Sequence, residues 1–334
     1  MEKVLTFSVA AYNIEDTIDE LMWSLIESGC MEQIEILIVD DGSKDATARK
    51  AAKYETQFPE TVRLISKENG GHGSTINKGI EEARGKYFRP LDGDDWVESR
   101  NISGLLGKLQ ETTADMVICD YNRCYKDGRK ERLQFETISS GKILSAEETL
   151  KEIDWICYHA VIYRTEILKQ HQIRLNEHCF YVDNEYCLFP ILYTETILYF
   201  NEPIYDYRLG EEGQSVSPAS RMKHIDSGRK VVRSLLSFCN EIPEEAGEGK
   251  KRYIYHGTAR HCIWFIYSLL IFPANKEKKE EIRKFDLTVK EKQKNVYEEM
   301  EKQEAISRII RWLRKSNYHA YWIIKAYKRI KGTY

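Results

Sequence analysis

Ile34-Glu35-Ile36-Leu37-Ile38-Val39-Asp40-Asp41-Gly42-Ser43 is an aliphatic run that stops abruptly in two carboxylates, a glycine and a hydroxyl. An apolar run this short and this rich in β-branched residues predicts a buried strand, with Ser43 placed to cap an alanine-rich helix over 44–57. The same unit recurs on both sides. Val4–Ala10 predicts a strand, after which Ile14, Ile18, Leu21, Met22, Leu25 and Ile26 share one helical face, with Asn13 as cap and Asp16 in the first turn. Val62–Ser66 predicts a third strand, Asn69-Gly70-Gly71-His72-Gly73 a loop, and Ser74–Arg84 a helix stopped by Gly85. A fourth strand, Lys86–Leu91, runs straight into Asp92-Gly93-Asp94-Asp95; a helix over 101–112 and a strand over Met116–Tyr121 follow. Repeated strand–helix units predict an α/β domain with a mainly parallel sheet covered by helices on both faces. Ligands of such sheets collect at the carboxyl ends of the strands. Here those ends are Ala11-Tyr12-Asn13, Asp40-Asp41 and Asp92–Asp95, so all three loops should open on one side.

The segment 122–220 is less regular, with a hairpin near Asp127-Gly128, a helix over Ser145–Ile153 and an aromatic-rich stretch. From residue 221 the pattern is helical. Met222, Ile225, Val232, Leu235 and Leu236 form one face, 251–272 reads as a buried helix and 276–304 as a charged, exposed one. The chain therefore divides into a domain over 1–220, with halves 1–120 and 121–220, and a helical extension over 221–334.

The 334 residues are 42 % hydrophobic and 31 % charged, which excludes disordered and collagen-like classes. The longest apolar run, Ile263–Phe272, is far below the roughly 20 residues that cross a bilayer. Met1-Glu2-Lys3 leads directly into a strand with no signal-peptide pattern, which predicts a cytoplasmic protein. Eight cysteines without a Cys-x-x-Cys pair read as reduced core residues, and the histidines show no ligand spacing. His72 and His178 lie near the acidic and glycine-rich loops and could touch a substrate. The net charge of −3 conceals an asymmetry, because eight basic residues and no acidic one follow Glu304. Over 305–331 they alternate with Ile306, Ile309, Ile310, Leu313, Ala320, Tyr321, Ile324 and Tyr327, beside Trp312 and Trp322. Such a helix pair can lie on an anionic bilayer, peripheral at the inner face of the membrane, or pack its apolar stripe on the acidic body. No nucleic-acid module is recognisable, so no nucleic-acid partner is expected.

Three carboxylates within Asp92-Gly93-Asp94-Asp95 repel one another unless a cation sits among them. Oxygen ligands suit Mg²⁺ or Mn²⁺, and a metal on one or two carboxylates keeps positions open for phosphate oxygens. A solvated acidic turn, with Asp95 capping the next helix, is the alternative. At the second strand end, a carboxylate of Asp40-Asp41 can accept from a base or ribose, or cap a helix with Ser43. Ala10-Ala11-Tyr12-Asn13 stands where a dinucleotide-binding fold needs its glycines, and no P-loop pattern occurs. This argues against NAD enzymes and P-loop NTPases, and a nucleotidyltransferase lacks its glycine-rich basic loop.

Taken in order, Ala11-Tyr12-Asn13, Ile38-Val39-Asp40-Asp41-Gly42-Ser43-Lys44-Asp45-Ala46-Thr47, Asn69-Gly70-Gly71, Asn77-Lys78-Gly79, Ala83-Arg84-Gly85-Lys86-Tyr87 and Leu91-Asp92-Gly93-Asp94-Asp95-Trp96 resemble the family 2 glycosyltransferases. The resemblance implies a GT-A fold, a nucleotide-sugar donor, most simply a UDP-sugar, and inversion at the anomeric carbon. Carried over by position, Ala10 and Tyr12 lie around the nucleotide base, Asp41 binds the base, and Asn69 belongs to the donor site. Asp92 contacts the ribose, and Asp94, with Asp92, holds the metal, Mn²⁺ or Mg²⁺. Alanines at 10 and 11, where members often carry a hydroxyl or proline, leave only backbone groups there. The family's general base, a carboxylate that takes the acceptor's proton, falls in His178–Leu188. Asp183 matches its aspartate, Val182 replaces the usual neighbouring glutamate, and Glu185 is the rival.

Tyr205-Asp206-Tyr207-Arg208 and Gln214-Ser215-Val216-Ser217 resemble the end of the catalytic domain in polysaccharide-type members, with Arg208 able to face the diphosphate. Arg308-Ile309-Ile310-Arg311-Trp312 departs from the Gln-x-x-Arg-Trp of processive synthases, which leaves single-sugar transfer to a glycan or lipid-linked acceptor. The halves 1–120 and 121–220 then correspond to donor and acceptor. A non-catalytic member using the same cleft as a binding or scaffold surface remains the competing alternative.

Overall fold

The computed structural model describes residues 2–210 and 217–331, with side chains described throughout except at 304–307 and 327–331. Gln214, Ser215 and Val216 of the motif above lie outside the described residues. The chain forms two compact units, Met1–Glu212 and Gly213–Tyr334, a division eight residues earlier than the expected one after 220.

The first unit is built on ten strands: β1 (Leu5–Ala11), β2 (Ile34–Asp40), β3 (Val62–Ser66), β4 (Tyr87–Asp92), β5 (Trp96–Val97), β6 (Met116–Tyr125), β7 (Lys130–Leu133), β8 (Ile143–Ser145), β9 (Val161–Arg164) and β10 (Thr196–Leu209). The sheet order is β3-β2-β1-β4-β9-β6-β10-β5, with β7 on β6 and β8 on β10. β3, β2, β1 and β4 are parallel, as the alternating pattern predicts. The second half is mixed: β9 runs antiparallel between β4 and β6. β9 is four residues long, and β10 is interrupted by register shifts around Pro203. Neither leaves a clean periodic signal. β2 is buried along its whole length between β1 and β3, and each buried Ile, Leu or Val there contributes about 1.5–3 kcal/mol. Its one charged interior residue, Glu35, is held by Thr6 Oγ1 (2.7 Å), Arg84 N (2.7 Å) and Arg63 Nη1 (2.9 Å).

Both expected caps differ. The first helix begins at Ile18 and the second at Thr47. Asn13, at φ +52°, accepts from Lys44 N on its Oδ1, and Ser43 Oγ accepts from Asn13 N. The polar side chains thus tie the β1 and β2 loops together instead of capping helices. Nor does Asp95 cap the next helix, which starts at Ser99.

The second unit is helical: 218–223, 225–241, 248–269, 276–292, 294–302, 304–315 and 320–331. Helix 248–269 is buried over most of its length, and the expected charged helix over 276–304 breaks at Gln293. In the tail, Ile310, Leu313, Ala320, Tyr321 and Ile324 are buried. Arg314 pairs with Asp286 at 2.6 Å, and Lys325 is buried and donates to the Leu270 carbonyl. That apolar stripe therefore packs inside its own unit, while Trp312, Trp322 and Ile323 stay exposed. Among the described residues no helix is long and apolar enough to cross a membrane.

Candidate active site

The acidic loop leaves the end of β4 beside β1. A Cβ on Gly93 would lie 2.7 Å from the Ala10 carbonyl oxygen and 2.6 Å from Ile14 Cδ1, so glycine alone fits between the two aspartates. Ala10 itself is paired in the sheet with Val39 and Asp92, and it forms the floor under the loop.

The three carboxylates meet different surroundings. Asp92 Oδ1 lies 3.0 Å from His72 Nε2 and accepts from Tyr158 OH at 3.3 Å. Burial raises the Asp92 carboxyl, but the His72 ring, His159 and the Tyr158 hydroxyl together outweigh it and the net shift is downward. Burial opposes the charged His72 ring, and Asp92, with Asp183 and Asp94 beyond it, raises it nonetheless. Asp95 is buried and takes Tyr205 OH (2.7 Å) and Arg208 N (2.7 Å). Burial first, then Asp92 and Asp94, push its carboxyl well up. Asp94 is exposed at the loop's tip and raised by burial of its carboxyl and by Asp92, and Arg208 Nε binds its carbonyl at 2.8 Å. Arg208 also reaches Glu20 (2.5 Å) and covers Trp96. Its guanidinium is thus engaged with the loop, where the sequence suggested a diphosphate contact.

His159 completes the cluster. It stacks on Tyr207 with ring centroids 4.1 Å apart, and burial pushes its pKa down to about 4, so the ring is neutral. Ligand atoms of Asp92, Asp95 and His159 all lie within 4.8 Å of one another. Two carboxylates and a neutral imidazole fit a divalent cation by donor type. Fully buried Arg89 donates to the His159 carbonyl beneath.

Asp41 differs from expectation. It is buried, and its carboxylate already accepts from Lys67 Nζ (2.6 Å), Gly70 N (2.8 Å), Gly71 N (2.8 Å) and Ser74 Oγ (3.2 Å). With those acceptor sites taken, Asp41 fastens the glycine loop and has little left for a base. The open space lies beside it, a groove of about 530 Å³ lined by Tyr12, Asp40, Lys44, Lys67 and Asn69. Tyr12 is 48 % exposed there, and Asn69 is oriented by a 2.9 Å bond to the Asp41 carbonyl.

The glycine loop carries the second half of the site. A Cβ on Gly73 would lie 2.1 Å from the Asn176 carbonyl oxygen, and one on Gly71 3.3 Å from His178 Cα. Segment 175–179 therefore packs directly on the loop, and Asn77 exchanges bonds with Leu175 (2.9 and 2.8 Å) to fix it. His178 holds the contact through its backbone N–H to the Gly70 carbonyl, with its side chain exposed. This packing brings Asp183, first residue of the helix 183–188, into the field of His72 and Asp92. Burial pushes Asp183 up to about 6, with His72 opposing and Asp92 adding to the rise. Glu185 is fully buried and accepts from Asn176 N (2.7 Å) and Nδ2 (2.5 Å), which ties it into the body.

Tyr158 and His159 carry no motif and are marked in the sequence only by the aromatic density of this region, while Tyr205 stands in the motif Tyr205–Arg208 without a role of its own; their meeting depends on β9 and β10.

Residues 6–172 match the model of the family described as Glycosyl transferase family 2. The chain is 28 % identical over 251 residues to the glycosyltransferase EpsH of Bacillus subtilis, covering 70 % of this chain and 68 % of EpsH. The structure resembles that of residues 1–349 of Staphylococcus aureus TarS, solved with UDP-GlcNAc, with a TM-score of 0.68, 18 % identity and 99 % and 93 % of the two chains covered. It also resembles the mannosyltransferase PcManGT of Pyrobaculum calidifontis, solved with GDP-Man and Mn²⁺, with a TM-score of 0.56, 14 % identity and 99 % and 88 % covered. At these identities the structural likeness is one of fold.

Proposed function

This chain belongs to glycosyl transferase family 2 and is a glycosyltransferase of GT-A fold, and we propose that it moves one sugar, with inversion, from a UDP-sugar to a hydroxyl of a glycan or lipid-linked acceptor. The observation that carries the proposal is the convergence of Asp183 on the Asp92–His72 pair across some 90 residues of chain. A carboxyl with a pKa near 6 is mostly ionised at neutral pH yet basic enough to accept a proton, which suits a general base. It would take the proton of the acceptor hydroxyl as that oxygen bonds to the anomeric carbon, while the bond to the diphosphate breaks and the nucleoside diphosphate leaves.

The groove beside Tyr12 and Asn69 would receive the base, with Asp41 holding its wall. Exposed Asp94, with Asp92 and the neighbouring Asp95 and His159, would hold Mn²⁺ or Mg²⁺, which supplies positive charge to the leaving diphosphate. PcManGT, of the same fold, was solved with Mn²⁺. A scaffold that only binds would not need Asp183 raised in this position, so the non-catalytic alternative is disfavoured. The test is slow hydrolysis of UDP-sugars in the presence of Mn²⁺; a chain that binds them and never releases UDP is not this enzyme.

A cytoplasmic chain working at the inner face of a membrane is also part of the proposal. Exposed Trp312, Trp322 and Ile323, with Arg308 and Lys315 exposed in the same helix pair, support it. Flotation with anionic vesicles should carry the wild type and lose Trp312→Ala/Trp322→Ala.

A further inference from the structure

Between the helix Ile18–Ile26 and the segment following the acidic loop lies a second cavity of about 360 Å³, within the usual range for small-molecule sites. One wall is a stripe of the helix, Glu20, Trp23 and Glu27, which recur on one face over roughly 10 Å. The other wall begins at Trp96, immediately after Asp94 and Asp95, and continues to Glu98.

Trp23 is 55 % exposed, more than any other large hydrophobic side chain described in the first unit. The same helix buries Ile18, Leu21, Met22 and Leu25, so its apolar face is already satisfied and the indole lies outside it. A flat apolar ring kept in water at the lip of a polar groove is a platform for a ligand with an apolar face of its own.

The charges narrow the class. Glu20 is matched by Arg208 at 2.5 Å; Lys130 bridges Glu98 (2.8 Å) and Asp206 (2.9 Å), and Arg100 gives Glu98 a second cation at 3.0 Å. Glu27 is left as the carboxylate without a cation partner among the described residues. The groove is therefore rich in hydrogen-bond acceptors but nearly balanced in charge. It has no cationic surplus for a phosphate or polyanion and no cluster of unpaired carboxylates for a metal. An indole face beside oriented carboxylates suits a neutral polyhydroxyl ring, whose axial C–H groups lie on the indole and whose hydroxyls donate to the carboxylates.

We propose that this groove binds a neutral pyranose chain: the part of the acceptor glycan beyond the sugar that reacts. Its position supports that occupant, since Arg208 joins Glu20 in the groove to the Asp94 carbonyl in the acidic loop. The proposal rests on the glycosyltransferase reading for its biological role, but the groove can be tested separately.

The probes are chitotetraose and cellotetraose, titrated into the full chain and followed by saturation-transfer NMR and indole fluorescence. Binding by the wild type is expected, weakened roughly tenfold or more in Trp23→Ala and largely retained in Trp23→Phe. Trp23 is exposed, so neither variant removes a core side chain, and circular dichroism checks the fold. Failure of the wild type to bind either tetrasaccharide, or equal binding by Trp23→Ala, overturns the proposal. UDP added to the same samples reports on the donor site independently: UDP binding without glycan binding rejects the groove alone, and glycan binding without UDP binding rejects the donor assignment alone.

Discussion

Asp183 and Glu185 stand two positions apart at the start of one helix, yet Glu185 turns into the body, fully buried on Asn176, while Asp183 shares the electrostatic field of His72 and Asp92. Their chemical likeness in the sequence hides opposite duties. Glu185→Gln leaves part of a buried hydrogen-bond set unmatched and should lower the unfolding free energy by about 1–3 kcal/mol. Denaturant melts check this, and an unchanged midpoint would mean that Glu185 is free for another role.

Asp183 should set the acid limb of the pH profile. With its pKa pushed up to about 6 by burial, turnover should fall roughly tenfold per pH unit below that value and level off above it. Stability runs the other way. A folded-state pKa above the ordinary 3.8 means the folded chain holds this proton more tightly, so the contribution present at low pH is lost as pH rises through about 4 to 6. Asp183→Asn, neutral at every pH, should therefore be more stable than the wild type near pH 7.5, by about 1–3 kcal/mol. Thermal melts near pH 4 and pH 7.5 should show the gain only at the higher pH.

Asp41 should behave as an anchor. Asp41→Ala strands Lys67 and the Gly70 and Gly71 amides, and breaking a buried pair of this kind costs about 3–5 kcal/mol. Loss of UDP binding should accompany the loss of stability. A variant as stable as wild type that has lost only UDP affinity would restore Asp41 to direct contact with the base.

Asp94 makes the opposite prediction, because the residue is exposed at the tip of the loop and no core packing depends on it. Asp94→Ala should melt like wild type without ligands, but lose the stabilisation that Mn²⁺ with UDP gives, about 2.7 kcal/mol at a hundredfold excess over Kd. Chelation with EDTA should remove the same increment from the wild type. Full retention in Asp94→Ala would move the cation to Asp92, Asp95 and His159 alone.

The parallel half of the sheet was legible because β1 to β4 are short, mostly apolar and each followed by a loop dense in Asp, Asn or Gly. The acidic loop and Asp183 stand out as candidates from motif order alone. What could not be read was which polar groups are spent on structure. Asp41, Ser43 and Asn13 look like ligands or caps until their partners are seen, and those partners come from loops 30 or so residues away. His159 and Tyr205 reach the site only because β9 runs antiparallel into the sheet and β10 shifts register at Pro203. The apolar stripe of the tail was read correctly as amphipathic, but its period is equally that of a helix packed within its own unit.

The most direct test is the turnover of Asp183→Asn, measured with Mn²⁺, a UDP-sugar accepted by the wild type and its acceptor. With Asp183 as the base, kcat should fall by about 10²–10⁴ with donor KM little changed, the acid limb near pH 6 abolished and the fold intact. Turnover at the wild-type rate with the same pH profile would contradict that role.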